Sequence, residues 1–321
     1  MSGASSSSSG GVVPVTVVTG FLGAGKTTLL NRILREAQPR RIGVLVNDFG
    51  DINIDSQLIA SVESDRIALT NGCICCSIRN DLVSAMAGLV LDQPGLDHVV
   101  IEASGISDPV GIAETLFQPM LTSRLSIDGI IAVVDTMNYP DLDFDETELA
   151  LRQIAVADIV LLNKIDLAVA EKLVGLREDM RLCSPRARFI ETCHAEVPLS
   201  LILGLDAASY LAIRQQPSAH HHADAGHGFV SMSWRSERAV DLKRFREFVR
   251  TLPIAVYRAK GFLHLASPDT QCATFHLVGK RSSLEAALTT SPSSRSELVF
   301  IARRNAVNFD HIRLALDQCC T

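Results

Sequence analysis

The chain has 321 residues, 47% hydrophobic and 21% charged, enough apolar material to bury a full core and divide into a large and a small domain. A net charge of −6 without a basic stripe argues against nucleic acid as a partner, and no apolar run reaches the roughly 20 residues that cross a bilayer. Eight cysteines, three of them between positions 73 and 76, fit a reducing compartment and metal ligation better than a disulfide framework.

Residues 1–11 are rich in Ser and Gly, with neither the basic start nor the apolar centre of a secretion signal. They are expected to form a flexible tail, and the protein is expected to be cytoplasmic. From Val12 to about Ile202, short β-branched runs alternate with helical patterns: Val15–Val18, Ile42–Val46, Ile67–Leu69, Val99–Ile101, Ile130–Val134, Ile159–Leu162 and Arg188–Ile190. Near-continuous apolar runs of this kind mark strands covered on both faces. Their alternation with helices predicts an α/β fold, a doubly wound, mainly parallel sheet that holds ligands at the carboxyl ends of its strands.

The period breaks between Gln215 and Gly228, in a polar stretch that includes His220, His221, His222 and His227. Beyond it the pattern predicts a strand at Phe229–Trp234, a helix with Leu242, Phe245, Phe248 and Val249 on one face, three more strands near 255–265, 273–278 and 298–301, and a last helix after Asn308. The expected organisation is a domain over 12–214, a His-rich linker over 215–228 and a smaller α+β domain over 229–321. Cys183, Cys193 and Cys272 are scattered and expected to be buried or inert, and Cys319 and Cys320 are expected to lie in a frayed terminus.

The run Gly20-Phe21-Leu22-Gly23-Ala24-Gly25-Lys26-Thr27 follows the first strand and opens an amphipathic stretch, Thr28–Leu34. This is the context a phosphate-binding loop requires: Gly20, Gly23 and Gly25 let backbone N–H groups wrap an anion at a helix N-terminus. Lys26 is the candidate for the β- and γ-phosphates, Thr27 for Mg²⁺, and Thr28 for a further phosphate contact. Asn163-Lys164-Ile165-Asp166, behind the strand Ile159–Leu162, points to guanine. The Asp166 carboxylate can accept the ring N–H and the exocyclic amine, the Lys164 stem can cover the ring, and Asn163 can brace neighbouring loops. A site that hydrogen-bonds one edge rejects an analogue by roughly 10⁴-fold, because its buried polar groups go unpaired.

Glu102-Ala103-Ser104-Gly105 ends another strand and is the preferred Mg²⁺ and γ-phosphate sensor, Glu102 orienting a metal-bound water and the Gly105 N–H reporting the phosphate. Asp135 is the competing carboxylate. Lys26 and Glu102 are the candidates for a part in catalysis, and no residue is assigned to orient the hydrolytic water.

Cys73, Cys75 and Cys76 follow the strand Ile67–Leu69. Three thiolates within four positions can converge on one soft ion, and an incomplete shell with an exchangeable fourth ligand suits delivery better than storage. Asp48, a linker histidine or water can complete the shell. A structural zinc and a redox thiol pair are the alternatives.

These residues resemble the CobW-type metallochaperone GTPases, relatives of the urease- and hydrogenase-maturation GTPases. The likeness rests on Gly20–Thr27, Asn47–Gly50 with Asp55, Asn71–Cys76, Glu102–Gly105 with Asp108-Pro109, Asn163–Asp166, and Arg258–Leu263 in the second domain. It implies binding and hydrolysis of GTP with Mg²⁺, and insertion of zinc, cobalt (Co²⁺) or iron (Fe²⁺) into apo-enzyme clients. It also brings the expectation of a nucleotide-dependent homodimer. Many relatives carry Glu where this chain has the shorter Asp48. From a different class comes a redox or metal sensor in which the nucleotide is a structural ligand only.

Overall fold

A computed structural model describes residues 12–46, 67–70, 86–89, 95–103, 105, 109–116, 118–185, 187–204, 222–223, 228–267, 272–286 and 295–321. The chain divides into two compact units. One holds the described residues up to Ala157 with 161–184 and 191–196; the other holds 158–160, 185–190 and the described residues from Val197 onward.

A seven-stranded sheet runs in the order β3-β2-β4-β1-β5-β6-β7, formed by β1 (Val13–Thr19), β2 (Ile42–Val46), β3 (Ile67–Thr70), β4 (His98–Glu102), β5 (Leu125–Asp135), β6 (Ile159–Asn163) and β7 (Arg188–Thr192). The pairings of β1 with β4 and β5, and of β2 with β3 and β4, are parallel. β2 and β4 are buried at every position, as strands covered on both faces must be. The helices are α1 (Lys26–Glu36), α2 (Pro109–Leu116), α3 (Pro119–Thr122), α4 (Phe144–Val156), α5 (Ala170–Cys183) and the short α6 (Leu199–Ile202). α1 buries Leu29, Leu30, Ile33 and Leu34, each contributing about 1.5–3 kcal/mol when removed from water. On one face of the sheet, Val15, Val17, Leu45 and Ile101 pack with Ile112 and Leu116 of α2.

Register aligns the strand ends that matter. Val18 pairs with Glu102, Glu102 with Val46, and Val46 with Thr70. The carboxyl ends of β1, β4, β2 and β3 therefore lie at one end of the sheet. Neighbouring strands lie about 4.8 Å apart, so the ends of β1 and β3 are about 14 Å apart.

The second unit is built on a six-stranded sheet, β12-β11-β10-β13-β9-β8, whose pairings are antiparallel. Its strands are β8 (His222–Ala223), β9 (Phe229–Ser236), β10 (Val256–His264), β11 (Cys272–Val278), β12 (Arg281–Ala286) and β13 (Ser296–Arg303). Helices α7 (Leu242–Thr251) and α8 (Phe309–Gln318) contribute Phe245, Phe248, Ile312 and Leu316 to a core with Trp234, Phe275 and Phe300. Phe245 meets Phe275 edge-on, with ring centroids 5.0 Å apart. Asn308 caps α8 by accepting from the Asp310 and His311 backbone N–H groups, as a residue of its type does at a helix start.

The chain terminus corrects the expectation of fraying. Cys319 and Cys320 are both buried, and Cys320 bridges Val240. The Cys319 thiol donates to the Ala315 carbonyl, 3.2 Å away, and burial pushes its pKa up to about 11, so it stays a neutral core group. Cys183, expected to be buried or inert, is exposed. Among the described residues no helix is long and apolar enough to cross a membrane.

Candidate functional site

Gly20 leaves β1 with φ at +139°, and a Cβ on it would lie 2.1 Å from the Val133 carbonyl oxygen. Gly25 has φ at +109°, and a Cβ there would lie 2.5 Å from the Asn163 amide nitrogen. Both positions demand glycine on two counts, the backbone conformation and the missing side chain. Gly25 is also the cap of α1, whose first turn carries no acidic residue. The N–H groups of that turn and the helix field therefore face the loop without a competing carboxylate from the helix itself, the arrangement that binds phosphate.

Lys26 is buried and donates from Nζ to the Phe21 carbonyl at 3.2 Å, so its ammonium lies over the loop. Thr28 is exposed beside it. Thr27 Oγ1 donates to Glu102 Oε1 at 3.1 Å, and Glu102 is itself buried. A hydroxyl and a carboxylate at this spacing form a hard oxygen donor set that suits Mg²⁺. Gly105 is buried against the loop, where a Cβ would come within 2.8 Å of the Leu22 backbone nitrogen.

Asp135, the competing carboxylate, has a different set of partners. It accepts from the backbone N–H groups of Met137 and Asn138, from the Asn138 side chain at 2.8 Å, and from Lys164 Nζ at 2.6 Å. It closes a turn at the end of β5 and fixes Lys164 of the Asn163–Asp166 run.

Asn163 ties the two ends of the site together. Its side-chain Nδ2 donates to the Ala24 carbonyl of the phosphate loop at 2.9 Å, and its Oδ1 accepts from the Ala195 N–H at 2.9 Å. Both bonds are buried, so the amide orientation is fixed by complementary donors and acceptors. Lys164 follows with φ at +62°, and Asp166 is exposed.

The loop after β7 was not read from the sequence. His194 and Ala195 both have positive φ without being glycine, and Thr192 Oγ1 donates to the Glu196 carbonyl at 2.7 Å to hold the turn. The Cys193 thiol pKa is raised, first by burial and then by its hydrogen bond to the Asp166 side chain. The loop therefore forms a wall beside Asp166, and the only signal for it in the sequence is its position after a strand of the sheet.

The thiol-rich stretch is different. Cys73, Cys75, Cys76, Asp48, His220, His221 and His227 lie outside the described residues, as does Ser104. His222, in β8, is described through its backbone alone, which pairs with Ser231 of β9. Among the described residues, no group of three or more His, Cys, Asp or Glu side chains is placed to hold a metal ion.

Residues 229–320 match the model of the cobalamin synthesis protein cobW C-terminal domain. A Sinorhizobium protein named zinc chaperone CobW is 33% identical over 248 residues, covering 68% of this chain and 70% of that protein. The zinc-regulated GTPase metalloprotein activator 1 of Schizosaccharomyces pombe is 36% identical over 203 residues, 61% of this chain and 49% of that protein, so the match spans about half the yeast protein's length. Among solved structures, the Zn(II)-bound YjiA GTPase of E. coli aligns over 97% of this chain and 100% of its own, with 25% identity and a TM-score of 0.46. Because residues 14–191, more than half of the chain, match the nucleotide-binding domain model of CobW/HypB/UreG, the chain belongs to that family of P-loop GTPases.

Proposed function

We propose that this protein is a GTP-hydrolysing zinc metallochaperone, in which the nucleotide controls a thiolate site at Cys73, Cys75 and Cys76 and the metal is delivered to a client apo-enzyme. One observation carries the reading: the bond from Thr27 to Glu102 links the phosphate loop to the end of β4, and Glu102 lies in register with Val46 and Thr70. The stretches holding Asp48 and the three cysteines begin one residue after Val46 and Thr70 respectively. A shift at the phosphate end thus has a path across neighbouring strands to Val46 and Thr70, after which Asp48 and the thiols follow in sequence. The names of the relatives, zinc chaperone CobW and zinc-regulated GTPase metalloprotein activator, support zinc as the cargo.

In this reading Lys26 and the N–H groups of the phosphate loop hold the phosphates, Thr27 and Glu102 hold Mg²⁺, and Asp166 reads guanine. When bound, Mg²⁺ neutralises charge on the phosphate oxygens. The Gly105 N–H reports the γ-phosphate. A site of zinc-finger strength, about 10–16 kcal/mol, would trap the ion unless something altered it. Allosteric coupling is typically about 1–3 kcal/mol, and linkage requires zinc to tighten GTP by the factor by which GTP tightens zinc. Hydrolysis then makes transfer directional. The boundaries 12–214, 215–228 and 229–321 assign the nucleotide and thiols to the first domain and a client-facing surface to the last, in the cytoplasm.

The test is a competition titration of Zn²⁺ and Co²⁺ against a chromophoric chelator, with the protein alone, with Mg²⁺·GDP and with a non-hydrolysable Mg²⁺·GTP analogue. Tightening by the analogue alone is expected, and Cys75→Ala abolishes tight binding while leaving GDP affinity intact. Equal metal affinity in all three states makes the cysteines a structural or redox site and removes the chaperone mechanism.

A further inference from the structure

Gln153, on the face of α4 turned toward the site, is 1% exposed and donates from Nε2 to the Gly105 carbonyl at 3.1 Å. The two residues are 48 positions apart. Gly105 has the phosphate loop on another side, since a Cβ on it would meet the Leu22 backbone nitrogen at 2.8 Å. The turn after β4 is thus held between Leu22 and Gln153.

α4 is well placed to act as a fixed wall. It packs against β5, against α5, and against α2, the helix that follows the Glu102–Gly105 turn. Its start is locked by a capping box: the Asp143 carboxylate accepts from the Glu146 N–H at 2.8 Å, and Glu146 reaches back to the Asp143 N–H. The segment leading into it begins at Asp135, which is joined to Lys164. A continuous run of structure therefore connects the base-recognition loop, through Asp135, the turn at Asn138 and α4, to the carbonyl of the turn after Glu102. An amide side chain is an uncommon choice for the buried face of a helix, and here its donor meets the main-chain carbonyl of Gly105, which lies outside helix and strand.

We infer that Gln153 is a positioning residue for γ-phosphate recognition: by holding the Gly105 carbonyl it restrains the backbone rotation of Gly105, and hence the direction in which the N–H of that same residue points. It touches neither nucleotide nor metal. The inference rests on the reading of Gly105 as the phosphate reporter. The protein distinguishes GTP from GDP in proportion to how firmly that turn is held, and GDP, which has no γ-phosphate, does not sense it.

The experiment measures the affinity of the full chain for Mg²⁺·GDP and for a non-hydrolysable Mg²⁺·GTP analogue in the parent, in Gln153→Met and in Gln153→Glu. Methionine keeps the volume and removes the donor. The expected result is a loss of about tenfold in analogue affinity with GDP affinity within about twofold of the parent, the size of one buried hydrogen bond to a neutral acceptor. The Gln153→Glu variant adds a readout that packing alone does not move. A buried carboxyl has a raised pKa, donates to the carbonyl when protonated and repels it when ionised, so analogue affinity in this variant rises as pH falls while Gln153→Met stays parallel to the parent. Parallel losses for GDP and the analogue, or no loss for either, overturn the positioning role. Absence of discrimination in the parent itself overturns the reading of Gly105 instead. Circular dichroism of the GDP-bound variants identifies a folding failure, and Gln153→Glu then decides the matter alone, since its pH response is absent from a merely destabilised protein.

Discussion

The two ends of the nucleotide site are built from different materials. The phosphate end is mostly main chain: glycines with positive φ, the first turn of α1, and a lysine whose ammonium lies on a loop carbonyl. The end proposed to read the base is mostly side chain, with Asn163 bonded to two loops, Lys164 paired with Asp135, and Asp166 beside Cys193. Phosphate is the same in every nucleotide, so a rigid backbone cradle suffices for it. A base must be told from its analogues, which requires donors and acceptors that only side chains can vary. The phosphate end should therefore fail when any atom is added, and the base end should fail by degrees as partners are removed.

Adding one carbon tests the first half. Gly20→Ala places a Cβ 2.1 Å from the Val133 carbonyl oxygen at a φ of +139°. Backbone strain and overpacking together amount to about 3 kcal/mol, on the order of a 100-fold loss of affinity. Calorimetric titration with Mg²⁺·GDP and with inorganic triphosphate is expected to show both weakened alike. If triphosphate affinity survives while GDP affinity falls, the loop is not the phosphate cradle and the contrast between the two ends disappears.

Asn163→Ala addresses the joint between them. The substitution removes the donor to Ala24 and the acceptor for Ala195, two buried bonds about 2.9 Å long. The expected cost is about 2 kcal/mol, roughly 30-fold in GDP affinity. Because one bond reaches each end, triphosphate affinity is expected to fall as well, by less. A loss confined to GDP would show that the Ala24 carbonyl holds its place without the amide, and that the two ends are independent after all.

The same contrast explains how much could be read in the sequence. The phosphate loop, the strand before it and the Asn163–Asp166 run are local patterns, and the structure places them at strand ends as the periodicity predicts. β5 is longer than its apolar run because it begins at Leu125, among Ser126, Asp128 and Gly129. Those residues belong to the strand for a tertiary reason. The register with β1 shifts between Val15 and Thr16, and Asp128 comes within 3.9 Å of the buried His98 ring, which bonds to Thr16 Oγ1. β12 is equally polar, and only its ladder with β11 makes it a strand. Cys319 and Cys320 are buried where a frayed end is expected because position in the chain says nothing of the bridge from Cys320 to Val240, eighty residues away. In the site, the joint at Asn163 was legible from residue type. The wall at 192–196 and Gln153 were not, since each acts through partners remote in sequence and neither belongs to a short pattern.

The smallest effect is expected at Lys164, and its size is informative. The Nζ of Lys164 lies 2.6 Å from Asp135 Oδ2, with the lysine side chain 30% exposed and the aspartate side chain 8% exposed. Breaking a fully buried pair costs several kcal/mol because a charge is left unsolvated. Asp135, however, keeps the N–H groups of Met137 and Asn138 and the Asn138 amide after the lysine is lost. Lys164→Met retains most of the stem proposed to cover the base and removes only the charge, so a loss of about 0.5–1 kcal/mol, two- to fivefold in GDP affinity, is expected. The difference from the parent should narrow as salt is raised, since a partly exposed pair is screened. A loss above about tenfold that ignores salt would mean that the ammonium contacts the nucleotide directly. The base end would then recognise charge as the phosphate end does, and the division of materials between them would no longer hold.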